Sequence, residues 1–203
     1  RHLWPGISIG MSPASKAIDE TINQIMVTRG LLPGSPGVIH WSIGPLVNSP
    51  GLARAVADGP YRRPALVPPM PWLDKRAPAP PAVTKMAENG TLKLSWTHPD
   101  PADIGRWVVY FKYGPQWNQH ILGGTVTEDA IPAFILNREY LARTSRDKVT
   151  RADQAFIALD SVAVSAVDRF GNESIISRIG INEFTPADAP DLDRTLAEFY
   201  DGI

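Results

Sequence analysis

The sequence predicts an α/β segment followed by an all-β antiparallel sandwich, and three observations predict that combination. A Pro-rich seam from Pro64 to Pro81 holds seven of the chain's 20 prolines. Upstream of the seam, short apolar strands alternate with capped amphipathic helices, the pattern of α/β units. Downstream, period-two alternation and hairpin turns dominate, as they do in antiparallel sandwiches. At 203 residues the chain has room for one large or two small domains, and the seam favours two.

Residues 2–10 form a short apolar strand that runs into a turn-rich stretch ending at Ser15. Ser15 is a good N-cap, and Ile18, Ile22, Ile25 and Met26 recur at helical spacing on one face, so a helix is predicted up to Gly30. Asp19 and Glu20 fall in or near its first turn, where carboxylates favour the positive end of the helix dipole. A Pro- and Gly-rich loop then leads to a second buried strand over 37–43. Ser49 and Pro50 open the next helix as cap and first residue, and Gly59-Pro60 closes it. The order strand, helix, strand, helix implies a right-handed crossover between two parallel strands. A parallel sheet needs cover on both faces, which two such units cannot supply, so this half reads as the end of a larger β/α structure. The start at Arg1, without Met or a signal-peptide pattern, is likewise read as a piece of a longer polypeptide.

Along the seam proline fixes φ and removes amide donors, which predicts an extended strap, pinned to one domain by Trp72 and Leu73. From Ala82 the signals are short antiparallel strands. Asn89-Gly90 is a hairpin turn, Leu92, Leu94 and Trp96 alternate inward after it, and Trp107 to Phe111 is the next strand. Asn137 to Lys148 reads as a helical insertion. Ser161 to Val167 alternates, residues 168–172 turn, and Ser174 to Ile181 returns. The Asp168, Asn172 and Glu173 side chains are explained by turn hydrogen bonding rather than by calcium. An aromatic such as Trp117 could bind glycan if exposed, but it is expected to pack the sandwich or face the barrel. After Pro190, Leu192, Leu196, Phe199 and Tyr200 fall at helical spacing, which predicts a docked last helix.

Composition excludes several chemistries. A net charge of −1 gives no reason to expect nucleic acid or an anionic membrane as partner. The chain has no cysteine, hence no disulfide, thiolate metal site or thiol nucleophile. His2, His40, His98 and His120 are scattered without ligand spacing, so no metal is expected. No phosphate loop or dinucleotide fingerprint is present, so no cofactor is expected either. No apolar run approaches the roughly 20 residues of a membrane-spanning helix.

Trp4 to Ile7, Ile22 to Gly30 and Gly37 to Ser42 together resemble the closing section of bacterial family-10-like glycosyl hydrolases, and Gly59 to Pro68 resembles the exit from their barrel. Trp96, the strand around Val108, Val109 and Tyr110, and the run from Ala166 to Ser174 resemble a fibronectin type III domain, with Val162 where many such domains place a tyrosine. The resemblance implies the terminal β/α units of a (β/α)8 barrel over 1–63, a Pro-rich linker over 64–81, a fibronectin type III-like β-sandwich over 82–183, and a tail with a short helix over 184–203. It implies a glycoside hydrolase acting on a carbohydrate in a secreted, periplasmic or cell-surface setting.

Glycoside hydrolysis normally uses two carboxyl groups flanking the scissile bond. From Arg1 to Ala14 and from Gly34 to Arg54 there is no Asp or Glu, so both acids would come from upstream strands and this chain alone is expected to be inactive. What it offers is substrate binding. Trp41, with His40, stands near the C-terminal end of its strand, where barrel sites form, and an indole can pack on the C–H face of a pyranose; Trp4 is a further candidate. The expected partners are a carbohydrate and the N-terminal barrel portion, from the same polypeptide or another chain. The alternative is a noncatalytic carbohydrate-binding or protein-interaction module in which the sandwich is the working part.

Overall fold

The computed structural model describes residues 3–9, 17–32, 37–143, 152–182, 184 and 189–201. The chain divides into two units, Arg1–Trp72 and Leu73–Ile203, with the division inside the Pro-rich seam.

In the first unit, β1 (Gly6–Ser8) and β2 (Ile39–Trp41) pair in parallel, with Gly6 opposite Ile39, Ile7 opposite His40 and Ser8 opposite Trp41. Helix α1 (Ala17–Leu31) connects them, and α2 (Gly44–Asn48) and α3 (Pro50–Asp58) follow. The core is Ile7, Ile9, Ile25, Leu52 and Val56, with Ile18, Val38 and Leu46 packed against it. Strand alternation sends Ile7 and Ile9 to this helix-covered face.

The start of α3 is as the sequence predicts. Ser49 Oγ accepts from the Leu52 amide at 3.4 Å, Pro50 occupies the first turn, and the Gly59 amide closes on the Ala55 carbonyl. A Cβ at Gly59 would meet that carbonyl oxygen at 2.6 Å, which accounts for the glycine. Other expectations are corrected. The second strand is shorter than 37–43, because Ile43 already caps α2, a helix the sequence reading did not contain. Helix α1 buries Thr21 and Ile25, with Ile18 half-buried, while Met26 is exposed, since it stands about 100° round the helix from Ile25. The predicted cap at Ser15 lies outside the described residues. Strand β2 is not buried: Ile39 is 53% and Trp41 75% exposed, because the packed helices lie on the opposite face.

The second unit is a pair of sheets. One has the order β3 (Ala82–Glu88), β4 (Thr91–Thr97), β7 (Glu128–Pro132). The other has the order β10 (Ser177–Ile179), β9 (Phe156–Asp168), β5 (Ile104–Tyr113), β6 (Gln116–Gly123), with β8 (Phe134–Leu136) also on β9. All these pairings are antiparallel. Asn89 and Gly90, with φ of 49° and 71°, make the predicted two-residue hairpin between β3 and β4, a turn that requires positive φ at both central positions. Leu92, Leu94 and Trp96 point into the core as expected and meet Trp107, Val109 and Ile131, together with Val162, Val164 and Ala166 from β9. Two buried indoles are tolerated there because each N–H is satisfied: Trp96 Nε1 donates to the Val126 carbonyl at 3.2 Å and Trp107 Nε1 to that of Gly124 at 3.0 Å.

Strand β9 departs from the predicted alternation, since residues 162–168 are buried on both faces. The returning chain first folds across the outer face: Glu173 bridges to Val167, and Ser174 Oγ accepts from the Ala166 amide at 3.0 Å. Only Ser177–Ile179 then pairs as β10. The turn itself is built as expected, with Asp168 Oδ1 accepting from the amides of Phe170 and Asn172, both at 2.8 Å, and Oδ2 from Asn172 Nδ2 at 2.8 Å.

The strap is anchored differently from the prediction. Trp72 and Leu73 are exposed. From residue 74 on, carbonyls do the anchoring within the second unit: Asn172 Nδ2 reaches Asp74 O at 3.4 Å, Ser177 Oγ donates to Pro81 O at 2.8 Å, and His98 Nε2 lies 2.9 Å from Ala79 O. Proline removes the amide donor but leaves the acceptor, so a Pro-rich strap can still be tied down through its carbonyls. Helix α4 (Arg138–Arg143) lies within the predicted 137–148 insertion, whose remainder falls outside the described residues. Helix α5 (Leu192–Asp201) buries Leu196, and the side chains of Phe199 and Tyr200 lie outside the description. Among the described residues no helix is long and apolar enough to cross a membrane.

Truncating Leu94, fully buried between the sheets, is expected to cost about 3 kcal/mol, whereas alanine at the exposed neighbour Ser95 should cost less than about 0.5 kcal/mol. Urea unfolding of the two variants measures the contrast.

Candidate functional site

Trp41 is the last residue of β2, so it stands at the C-terminal end of the parallel pair. Successive side chains of a strand point to opposite faces, which places Trp41 with Ile39 on the bare face, next to the cross-strand partner Ser8. The indole is 75% exposed, and Ser42 and Ile43 beyond it are exposed as well. The Trp41 carbonyl accepts from the Ile9 amide at 3.1 Å, which fixes the strand end from which the ring projects. The Trp41–Ser42 peptide is cis.

His40 takes the other face, beside Ile7 and toward the helices. Its Nε2 lies 2.8 Å from the Tyr61 hydroxyl oxygen, and the two rings meet edge-on at 5.7 Å. Its Nδ1 is buried without a hydrogen-bond partner. Protonation would place a second N–H where nothing accepts it, and the desolvation lowers the His40 pKa below the usual imidazole value. Tyr61 in turn sits under the Arg29 guanidinium, 5.3 Å from its ring centroid, and Arg29 Nη1 donates to the Pro60 carbonyl at 2.7 Å. Burial raises the Tyr61 pKa and the Arg29 charge opposes that rise.

Trp4 precedes β1 and lies at the N-terminal end of the pair. Its ring packs over Gly37, where a Cβ would stand 3.1 Å from Trp4 Nε1, and it lines a cleft of about 660 Å³ with Arg29, Val38 and Tyr61. The three residues singled out from the sequence are therefore not brought together. Trp41 is on the bare face at one end, His40 is on the helix side, and Trp4 is at the other end.

The sequence reading missed the Arg29–Tyr61–His40 cluster, in which Arg29 reaches Pro60 across 31 residues and His40 reaches Tyr61 across 21, leaving no local pattern. The carboxylates of the first 72 residues are Asp19, Glu20 and Asp58, all on helices and exposed. Trp41 stands at this end of the unit, and neither of the two described strands carries a carboxylate.

No family model matches the sequence. Over 120 residues the chain is 36% identical to the glycosyl hydrolase YngK of Bacillus subtilis strain 168, a match that covers 55% of this chain and 23% of that protein. The chain thus shares sequence with a glycosyl hydrolase, and the match spans less than a quarter of that relative's length. Among solved structures, the FN3 domain of human collagen XX aligns at TM-score 0.34 and 13% identity, covering 58% of this chain and 100% of that one. The Clostridium perfringens spore cortex lytic enzyme SleM aligns at TM-score 0.34 and 13% identity over 52% of this chain and 28% of its own.

The lowered His40 pKa has a testable sign. Because the unfolded imidazole, near 6.5, takes up a proton that folded His40 resists, its contribution to stability is complete above about pH 6.5 and is lost as pH falls toward the lowered value. Urea midpoints of wild type and His40→Gln between about pH 5 and 8 should therefore diverge with rising pH, and parallel profiles would remove His40 from this role.

Proposed function

We propose that the chain is the C-terminal part of a glycoside hydrolase. Residues 1–63 are the last β/α units of a (β/α)8 barrel, 64–81 a linker, 82–183 a fibronectin type III-like sandwich and 184–203 a tail. The observation that carries the reading is the one-sided cover of the parallel pair: helices pack on Ile7 and Ile9, while Ile39 and Trp41 are left bare. A parallel pair inside a barrel has its helices outside and further strands completing the inner face, so the bare side is the one those strands would close. The 36% identity to a glycosyl hydrolase supports assigning the chain that reaction class.

In this arrangement Trp41 is the sugar platform. It stands at the C-terminal strand end, the side on which barrel enzymes build their sites. Its flat apolar face suits the C–H face of a pyranose, which gains from leaving water there. His40 acts from behind as a positioning residue, tying β2 to the turn after α3 through Tyr61. Trp4, at the far end over Gly37, serves packing. The acid and base come from barrel strands outside this chain, because its own two strands carry no carboxylate. A polymeric carbohydrate substrate fits a secreted, periplasmic or cell-surface setting.

The test compares this chain with a polypeptide extended upstream by the remaining β/α units on a panel of glycosides. The extended polypeptide is expected to hydrolyse one of them and the present chain none. Trp41→Ala in the extended form should lower kcat/KM by about tenfold or more at an unchanged urea midpoint. Hydrolysis by the 203-residue chain alone, or an indifferent Trp41→Ala, would overturn the assignment.

A further inference from the structure

The outer face of the four-stranded sheet in the second unit carries a cleft that the barrel reading does not use. Cross-strand register lines up Arg178, Ala163 and Tyr110 across β10, β9 and β5, and Trp117 projects from β6 opposite Lys112. Ala163 is the small residue of that row, so the sheet dips between Arg178 and Tyr110. The segment from Glu173 to Ile176, crossing the face before β10, builds a wall beside the dip. The cleft is shallow and open to solvent, with a volume of about 530 Å³, within the roughly 300–1,000 Å³ of small-molecule sites.

The lining is organised. Glu173 Oε1 accepts from the Tyr110 hydroxyl and from Ser165 Oγ, each at 2.6 Å, and Ser165 is fully buried. Two donors on one oxygen hold the carboxylate in a fixed direction. Burial, followed by the Glu173 hydrogen bond and charge, pushes the Tyr110 pKa up to about 12, so the phenol remains a donor at neutral pH. Around this polar floor stand apolar surfaces that face solvent: Trp117 is 47% and Ile175 79% exposed. Trp117 is therefore not packed inside the sandwich, as one of its expected placements had it.

We propose that this cleft is a second carbohydrate site, binding a neutral pyranose of a glycan chain with Trp117 as platform and Glu173 and Arg178 as acceptor and donor for its hydroxyls. The charges select the class. An anionic ligand meets the Glu173 carboxylate and a cationic one meets the Arg178 guanidinium, whereas vicinal hydroxyls donate to the first and accept from the second. The C–H face of a pyranose suits an exposed indole, which an unadorned polar ligand does not. The choice of a sugar over other neutral polyols rests on the glycoside hydrolase reading.

Isothermal titration calorimetry of the 203-residue chain with cellohexaose, xylohexaose and N-acetylchitohexaose tests it. At least one hexasaccharide is expected to bind with Kd at or below roughly 1 mM, Trp117→Ala to weaken it at least about tenfold, and Trp117→Tyr to retain most of it. Ser95→Ala, an exposed position on the other sheet, should leave this binding unchanged. No binding by any of the three, or equal affinity in wild type and Trp117→Ala, would overturn the proposal. Loss of binding in Trp41→Ala alone would overturn it too, by moving the sugar to the first unit. Hydrolysis by the extended polypeptide with no binding here defeats this inference and leaves the barrel reading intact. Trp117-dependent binding beside an inert extended polypeptide does the reverse.

Discussion

Gly6–Ser8 and Ile39–Trp41 are joined in parallel, and a parallel pair has no reason to be stable with one face in water. Three residues per strand give few ladder hydrogen bonds, and two-stranded sheets are marginal by themselves. What holds the first unit is the layer beneath: Ile7 and Ile9 buried against Ile25, Leu52 and Val56. At about 25 cal/mol per Å² of apolar surface, burying Ile39 and Trp41 in turn would add some 2–3 kcal/mol each. That unrealised stabilisation is the physical content of the bare face, and both the placement of Trp41 and the lack of carboxylates beside it gain meaning from it.

The second unit has no comparable deficit. Its sheets cover each other around Trp96 and Trp107, whose rings lie 5.9 Å apart, and both indole N–H groups reach carbonyls in the chain following β6. One outer face is partly roofed by the chain's own return segment, which turns β9 into a strand buried on both sides. The same fold-over leaves a shaped cleft at Ala163 instead of a flat polar sheet. Both the proposed site on this unit and the burial of β9 depend on where the return segment stops.

The sequence is most legible where one or two residues decide the geometry. Asn89-Gly90 allows a hairpin that most other pairs would strain, Ser49-Pro50 can hardly do other than start a helix, and Leu92, Leu94 and Trp96 reveal their face by period two. Legibility fails where distant segments meet. Nothing local announces that Tyr61 will reach His40, or that residues 172–176 will cover β9. The grouping of His40 with Trp41 is a different case, because the period of a strand already sets neighbours on opposite faces. Trp4 likewise shares a residue type with Trp41 but not an end of the sheet.

The central claim is that the Ile39–Trp41 face is completed by further strands of the same polypeptide. Hydroxyl-radical footprinting read by mass spectrometry, on this chain and on one extended upstream, measures it residue by residue. Ile39 should pass from strongly labelled to protected while Trp41, at the rim, keeps part of its reactivity. Equal labelling of Ile39 in the two forms would contradict the account.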